Sequence, residues 1–164
     1  MALGNRYKSA PGAGTVAALI LVLVFGSPWY ADWVQANTKA STAGGWWLRL
    51  LTWPHWTFDS SDSLRQIIVT DLKAILLIVL TALFLFLLPG SQLARARGTV
   101  SQLFAGWAAY IFAAAFAALL TTLFLANPSL IGAFRAAGDG AEYGVFVGWV
   151  VGLATLGGRR GTRS

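Results

Sequence analysis

The chain has 164 residues, of which 57% are hydrophobic and only 11% are charged. A soluble domain carries about 25% charged residues, so this composition and a mean hydropathy of +0.65 indicate an integral membrane protein. The net charge of +6 does not form a basic soluble face, which argues against nucleic acid as a partner, and the absence of cysteine excludes disulfides and thiol chemistry.

The first predicted membrane span covers about residues 12–31. It is mostly apolar, with its most hydrophobic part at residues 15–25. Gly26-Ser27-Pro28 follows this apolar part, and because proline lacks a backbone N–H and clashes with the preceding turn, we expect the helix to bend or end there.

A secretory signal peptide is an alternative interpretation of the first span. Arg6 and Lys8 would form its basic region, residues 17–26 its apolar region and residues 34–36 a cleavage site. The bulky aromatic residues within 29–33 would then separate the apolar region from the cleavage site. Such aromatics are typical of the interfacial end of a retained membrane helix.

Four tryptophans are concentrated between the first two spans, at Trp46, Trp47, Trp53 and Trp56. Segments rich in tryptophan and leucine lie in the headgroup boundary of a bilayer rather than crossing it. We therefore expect residues 36–62 to form an outer interfacial loop whose tryptophans contact lipid or a partner membrane protein. Burial of these tryptophans against the chain's own loops is the alternative.

The same loop contains a histidine and two carboxylates with helical spacing, His55, Asp59 and Asp62. On one continuous helix they would share a face and could bind Zn²⁺. Asp59 also suits the cap of the second span, however, and a cap would interrupt that helix. The sequence therefore predicts no metal site and no cofactor. No hydrolase, metalloprotease or phosphate-binding motif is present, so no enzyme activity is predicted.

The second predicted span covers about residues 67–88 and stops before Pro89. Asp71 and Lys73 lie near its outer end, and ionisable residues within a membrane are candidates for function. Two positions apart on a helix, they point to nearly opposite faces and should not pair directly. Interfacial anchoring is the preferred interpretation. A buried partner such as Arg135, or a proton or ion relay through Asp71, is the alternative.

The third and fourth predicted spans, about residues 103–125 and 143–158, carry rows of small residues. The fourth has Gly140, Gly144, Gly148 and Gly152, and the third has Ala105, Ala109, Ala113 and Ala117. In lipid, close backbone approach through small residues replaces the hydrophobic drive between helices. We therefore expect these two faces to pack within one chain. Pairing of the glycine face between two chains is the alternative.

The charges predict an orientation for four spans. The N-terminus, the loop after the second span and the C-terminus contain no acidic residue and these basic ones: Arg6, Lys8, Arg95, Arg97, Arg159, Arg160 and Arg163. The positive-inside rule then places both termini in the cytoplasm. Frequent alanine, glycine, arginine and tryptophan indicate a bacterial protein, and hence the bacterial plasma membrane.

These observations together predict an all-α integral membrane protein with four transmembrane helices and a tryptophan-rich interfacial segment between the first two. Its predicted role is that of a non-enzymatic accessory or scaffold subunit, with the lipid bilayer and another membrane protein as partners. The alternative is a homo-oligomeric transport or permeation component that self-associates through the glycine face. Polar residues in the spans are sparse for an ion path through one chain.

Overall fold

The computed structural model describes residues 10–57, 64–87, 99–124 and 129–160, and every regular element within these ranges is helical. In chain order the α-helices are α1 (Ala10–Ile20), α2 (Pro28–Asn37), α3 (Ala43–Leu50), α4 (Leu64–Leu87), α5 (Thr99–Leu123) and α6 (Leu130–Arg160). The predicted all-α fold class is confirmed for these residues.

Three of the helices are long and apolar enough to cross a membrane. The candidate spans are Ile67–Leu87 in α4, Val100–Leu123 in α5 and Leu130–Gly158 in α6, with mean hydropathies of 2.4, 2.0 and 1.2. A further crossing would have to be made by Ala10–Phe25 together with Pro28–Asn37, two segments that bend by 62° at the break between them. The first predicted span, residues 12–31, falls on this bent pair.

The bend follows from the residues between α1 and α2. After α1 the chain continues as a π-helical turn, Leu21–Phe25. Gly26 comes next, and a Cβ there would lie 2.6 Å from the carbonyl oxygen of Pro54. The Ser27 hydroxyl oxygen then accepts a hydrogen bond from the backbone N–H of Tyr30 at 3.2 Å and caps α2. The prediction that Gly26-Ser27-Pro28 bends or ends the first helix is confirmed.

The long helices form an antiparallel bundle. α5 packs along α6, α4 packs on α5, and α1 lies against α4 and α6. Gly14 of α1 approaches Leu85 of α4 and Thr155 of α6, so α1 begins where α4 and α6 finish. We call this end of the bundle the Thr155 end. The opposite end, where α4 and α6 begin and α5 finishes, is the Asp139 end.

α6 is longer than the fourth predicted span. It begins at Leu130 rather than at residue 143, and the backbone N–H of Gly132 donates to the Ser129 hydroxyl oxygen at 3.3 Å in its first turn. The additional turns carry Arg135 and Asp139, which are both exposed. The prediction followed the uncharged stretch alone, whereas the helix continues through charged residues.

A pair of tyrosines lies at the centre of the bundle. Tyr110 of α5 and Tyr143 of α6 are both 0% exposed. Their hydroxyl oxygens are 2.9 Å apart, so one hydroxyl donates a hydrogen bond to the other. Each group thereby satisfies a polar atom that would otherwise be isolated in an apolar interior.

We expect Tyr110→Phe to lower the free energy of unfolding by about 1–3 kcal/mol, because it leaves the Tyr143 hydroxyl buried without this partner. The double variant Tyr110→Phe/Tyr143→Phe removes both hydroxyls, so its loss should be smaller than that of the single variant. Reversible unfolding in mixed micelles, followed by circular dichroism, measures both losses. Additive losses would contradict a hydrogen bond between the two side chains.

Candidate functional site

The glycine row of α6 lies directly against α5 of the same chain. A Cβ built at Gly144 would be 2.6 Å from the Cα of Ile111, and one built at Gly152 would be 2.6 Å from the carbonyl oxygen of Leu103. Contacts this short with backbone atoms leave no room for a side chain. The close approach of α5 and α6 therefore depends on glycine at these positions.

The face of α5 that meets the glycines differs from the predicted alanine ribbon. The nearest α5 atoms belong to Leu103, Trp107, Tyr110, Ile111, Ala114 and Ala115. None of the ribbon residues Ala105, Ala109, Ala113 and Ala117 is among the three nearest neighbours of any of the four glycines. The backbones of Leu103 and Ile111 and the side chain of Trp107 occupy the space above the glycines.

The alanine ribbon instead faces the interior of the bundle. Ala109, Ala113 and Ala117 are all fully buried. Ala105 borders a small cavity of about 40 Å³ that is also lined by Pro11 of α1. The small side chains of the alanine ribbon let α5 pack closely against parts of the bundle other than the glycine row.

The tryptophans of the predicted interfacial loop are mostly turned inward. Trp47, Trp53 and Trp56 are partly buried against the core. The indole N–H of Trp56 donates to the carbonyl oxygen of Val22 at 3.1 Å. The ring of Trp53 stacks on Tyr143 with centroids 4.8 Å apart. These contacts correspond to the alternative of burial against the chain itself. Trp46, which is 40% exposed, meets the ring of Phe146 edge-on.

The most exposed tryptophans lie on α2. Trp29 is 75% and Trp33 is 45% exposed. Four residues apart on a helix, they project from the same face. Tyr30 and Val34 lie on the adjacent face and are buried, and the ring of Tyr30 stacks on that of Trp33 with centroids 6.1 Å apart. α2 therefore displays a pair of indole rings beside the face that is fixed to the protein.

Polar contacts with α3 hold α2 in position. The Arg49 guanidinium donates to the carbonyl oxygens of Thr38 at 2.7 Å and Gln35 at 3.2 Å. These carbonyls lie at the C-terminal end of α2, where a cation is favourable. The Tyr30 hydroxyl donates to the carbonyl oxygen of Leu48 at 3.1 Å. The helix pair α2–α3 is thus a rigid platform.

Asp71 and Lys73 both contact the segment that follows α3. The backbone N–H of Thr57 donates to the Asp71 carboxylate at 3.1 Å. The Lys73 ammonium nitrogen lies 4.7 Å from the centroid of the Trp53 ring, in a cation–π contact. Neither contact involves Arg135, which is exposed on α6. The two charged side chains therefore attach the tryptophan-rich segment to α4.

A polar cavity of about 230 Å³ lies beside Lys73 at the Asp139 end of the bundle. Its polar lining comes from all three long helices, as Thr70 and Lys73 of α4, Thr121 and Thr122 of α5, and Asp139 of α6. The Thr121 and Thr122 hydroxyls donate to the carbonyl oxygens of Ala117 and Ala118. The cavity therefore combines one cation, one carboxylate and two hydroxyl oxygens, those of Thr121 and Thr122, whose protons are already committed.

The remaining sequence candidates contribute little to this site. Within the part of the chain that the structure describes, no group of three or more His, Cys, Asp or Glu residues could hold a metal ion. His55 is exposed, whereas Asp59 and Asp62, with the predicted helix cap, lie outside the described residues. The side chains of the C-terminal arginines also lie outside them.

Comparison of the chain with protein-family models, with curated proteins and with solved structures finds no match. The structure alone therefore defines the class of protein. Within the described residues it is an all-helical chain with three candidate membrane spans. Its functional assignment depends on the platform formed by α2 and α3 and on the cavity beside Lys73.

Sequence reasoning missed Asp139 as a member of a site. It precedes the predicted fourth span, residues 143–158, and so falls outside the predicted membrane helices. Thr121 and Thr122 are among the polar residues of the spans, for which the sequence indicates only that they are sparse. The available signal was the helical spacing of Ala136 and Asp139, which places both on one face once α6 is extended to Leu130.

Proposed function

We propose that this chain is a small bacterial plasma-membrane protein with four crossings and both termini in the cytoplasm. It acts as a non-enzymatic accessory or scaffold subunit that binds lipid or another membrane protein. The observation that carries the proposal is the exposed pair Trp29 and Trp33 on the rigid platform. Large aromatic side chains fixed in one orientation are typical anchors of interfaces with proteins and with headgroups.

The placement of the platform supports this role. The 62° bend turns α2 away from the axis of α1, so the first crossing would end obliquely and α2 can present Trp29 and Trp33 at the membrane boundary. Because Tyr30 and Arg49 already fix α2 to α3, α2 loses little conformational entropy when a partner binds Trp29 and Trp33. The arrangement suits a docking surface better than a mobile lid.

Native mass spectrometry of protein extracted from its own membrane in mild detergent tests the binding role. We expect the wild type to retain lipid or a stoichiometric protein partner, and Trp29→Ala/Trp33→Ala to retain at least about tenfold less, since interface anchors contribute 2 kcal/mol or more. The matched control is Trp149→Ala, because Trp149 is 40% exposed but lies on α6. A wild-type protein that retains neither lipid nor partner contradicts the proposal.

The proposed orientation is tested by labelling single cysteines, which the cysteine-free chain makes simple. A membrane-impermeant maleimide added to intact cells should label Ala40→Cys and should not label Ser91→Cys or Ser164→Cys. After permeabilisation all three should react, which controls for accessibility. Labelling of Ser164→Cys in intact cells would rule out the proposed topology.

The alternative, a homo-oligomeric transport component joined through the glycine face, has less support. The glycine row is covered by α5 of the same chain, so an oligomer would need another surface. The hydroxyls of Thr81 and Thr155 donate to carbonyl oxygens of their own helices, Leu77 and Gly152. For the accessory role we expect the wild type to have a monomeric mass in detergent. Gly148→Leu protein that remains folded should have the same mass.

A further inference from the structure

We propose that the cavity between α4, α5 and α6 binds the headgroup of an ethanolamine phospholipid, which carries a phosphate and a primary ammonium. The Lys73 ammonium contacts the phosphate, while Asp139 and the hydroxyl oxygens of Thr121 and Thr122 contact the ammonium of the lipid. This site deepens the proposed function and rests on it, because a lipid reaches the cavity only if the Asp139 end lies at a membrane boundary.

The walls of the cavity carry opposite charges. Lys73 projects from α4 and Asp139 from α6, and both line the same space. A simple anion would be attracted by Lys73 but repelled by Asp139, and a simple cation would experience the reverse. A ligand with one charge of each sign is complementary to both walls.

The threonines of α5 favour a ligand that donates hydrogen bonds. The Thr122 hydroxyl donates to the carbonyl oxygen of Ala118 at 2.8 Å, and the Thr121 hydroxyl donates to Ala117 in the same way. Because a hydroxyl has a single proton, each oxygen can only accept further bonds. A primary ammonium offers three donors, whereas the trimethylated ammonium of choline offers none.

Trp53 fixes the cationic side of the site. Its ring lies 4.7 Å from the Lys73 ammonium nitrogen and also lines the cavity. A lysine ammonium carries three N–H groups, so contact with one ring face leaves donors for a phosphate. Lys73 lies about 9 Å along α4 from Ile67, the first residue of the candidate span, so its side chain must extend outward, as its contact with Trp53 requires, to meet a phosphate at the membrane boundary.

The size and surroundings of the cavity favour a lipid over a water-soluble zwitterion. Its volume of about 230 Å³ is that of about eight water molecules, close to the about eight non-hydrogen atoms of a phosphoethanolamine group. Exposed apolar side chains also lie on the side of the lining residues that faces the middle of the spans, at Ile75 of α4 and Phe116 of α5. Acyl chains run in that direction from a headgroup in the cavity, whereas free phosphoethanolamine would leave these side chains bare.

Native mass spectrometry of the full chain tests the site with three added lipids in equal amounts: phosphatidylethanolamine, phosphatidylcholine and phosphatidylglycerol with identical acyl chains. We expect at least about tenfold more phosphatidylethanolamine to be retained than either of the other two lipids. A preference of this size corresponds to one or two charge-assisted hydrogen bonds that only this lipid makes. Asp139→Asn and Lys73→Gln should each reduce its retention about tenfold. The controls Glu142→Gln and Arg135→Gln, exposed on α6 and outside the cavity lining, should leave it unchanged.

Lys73→Arg keeps the charge and should preserve binding, which separates loss of the phosphate contact from loss of folding. Asp139 is exposed, so its asparagine variant is expected to fold and provides an independent test. Equal retention of the three lipids by the wild type overturns the site, as does unchanged retention in both Asp139→Asn and Lys73→Gln. Binding of free phosphoethanolamine as tightly as the lipid overturns the assignment to a lipid.

The site and the proposed function fail in different ways. If the wild type shows no ethanolamine preference but still retains another lipid or a protein through Trp29 and Trp33, only the site is wrong. If the wild type retains nothing, the proposed function is wrong as well. If Asp139→Asn and Lys73→Gln both lower the free energy of unfolding while the wild type shows no lipid preference, Lys73 and Asp139 form an internal ion pair. That result overturns the site.

Discussion

Replacing Gly144 with alanine is expected to lower the free energy of unfolding by about 1–3 kcal/mol, the usual cost of overpacking a well-packed interior. The new Cβ would lie 2.6 Å from the Cα of Ile111. Because this neighbour is a backbone atom, no change of rotamer relieves the clash. α6 must instead move away from α5, which also loosens the adjacent hydrogen bond between Tyr110 and Tyr143.

Two other glycines of α6 provide matched controls. A Cβ built at Gly138 or at Gly157 meets nothing within 4 Å. Alanine is a better helix former than glycine by up to about 1 kcal/mol, so Gly138→Ala and Gly157→Ala should be neutral or stabilising. Reversible unfolding in mixed micelles compares the three variants directly. A stability for Gly144→Ala that equals that of Gly138→Ala would be inconsistent with close α5–α6 packing.

The same experiment distinguishes the two interpretations of the glycine row. If the row packed between chains, Gly144→Ala would dissociate an oligomer while leaving the unfolding of the monomer unchanged. If the row packs against α5 of its own chain, the stability of the monomer itself should fall. Molecular mass in detergent, measured on the same samples as the unfolding curves, separates these results.

The elements that sequence alone predicts well are those with strong local signals. The apolar runs in α4 and α5 are long, and Asp71 and Lys73 are the only charged residues within them, so the predicted spans 67–88 and 103–125 nearly match the candidate spans that end at Leu87 and Leu123. Pro28 has no backbone N–H to continue the preceding helix, so the break at this point needs no tertiary partner. Each of these signals is contained in a few consecutive residues.

The orientation of α5 around its own axis could not be predicted in the same way. α5 is apolar or small-sided on every face, so its hydrophobic periodicity does not indicate which residues meet α6. The choice of Trp107 and Ile111 over the alanine ribbon depends on complementary shape across the whole interface. Such complementarity is a property of two helices together.

The inward direction of the tryptophans depends on tertiary structure as well. An indole N–H can be satisfied in a headgroup boundary or by a free carbonyl oxygen. The Trp56 indole N–H donates to the Val22 carbonyl oxygen at 3.1 Å, an acceptor it shares with the Gly26 N–H, and composition alone does not reveal this contact. The cavity beside Lys73 likewise appears only when the three long helices are assembled.

Trp53→Ala is expected to have the other large effect, a loss of about 2–4 kcal/mol in the free energy of unfolding, somewhat below the cost of removing a fully buried tryptophan. The substitution removes the stacked contact with Tyr143 and the cation–π contact with Lys73. Residues 53–57 would then remain attached to α4 chiefly through Asp71 and to the bend through Trp56. We therefore expect this segment to open locally before the bundle unfolds.

Limited proteolysis measures the local opening separately from global stability. Arg49 is held by hydrogen bonds to Thr38 and Gln35, which should slow trypsin cleavage after it in the wild type. In Trp53→Ala, cleavage after Arg49 should accelerate by at least about tenfold, because opening that costs 1.4 kcal/mol less is about tenfold more populated. Trp29→Ala is the control, since Trp29 is 75% exposed and its loss should change stability by no more than about 0.5 kcal/mol.

The comparison of Trp53→Ala with Trp29→Ala decides between the two roles that tryptophan has in this chain. If the tryptophans acted only by resting in a bilayer boundary, both substitutions would have similar effects in membranes and almost none in detergent. The contacts of Trp53 with Tyr143 and Lys73 instead predict a large loss in both environments. A Lys73→Met variant should lose part of the same energy, so its combination with Trp53→Ala should be less than additive.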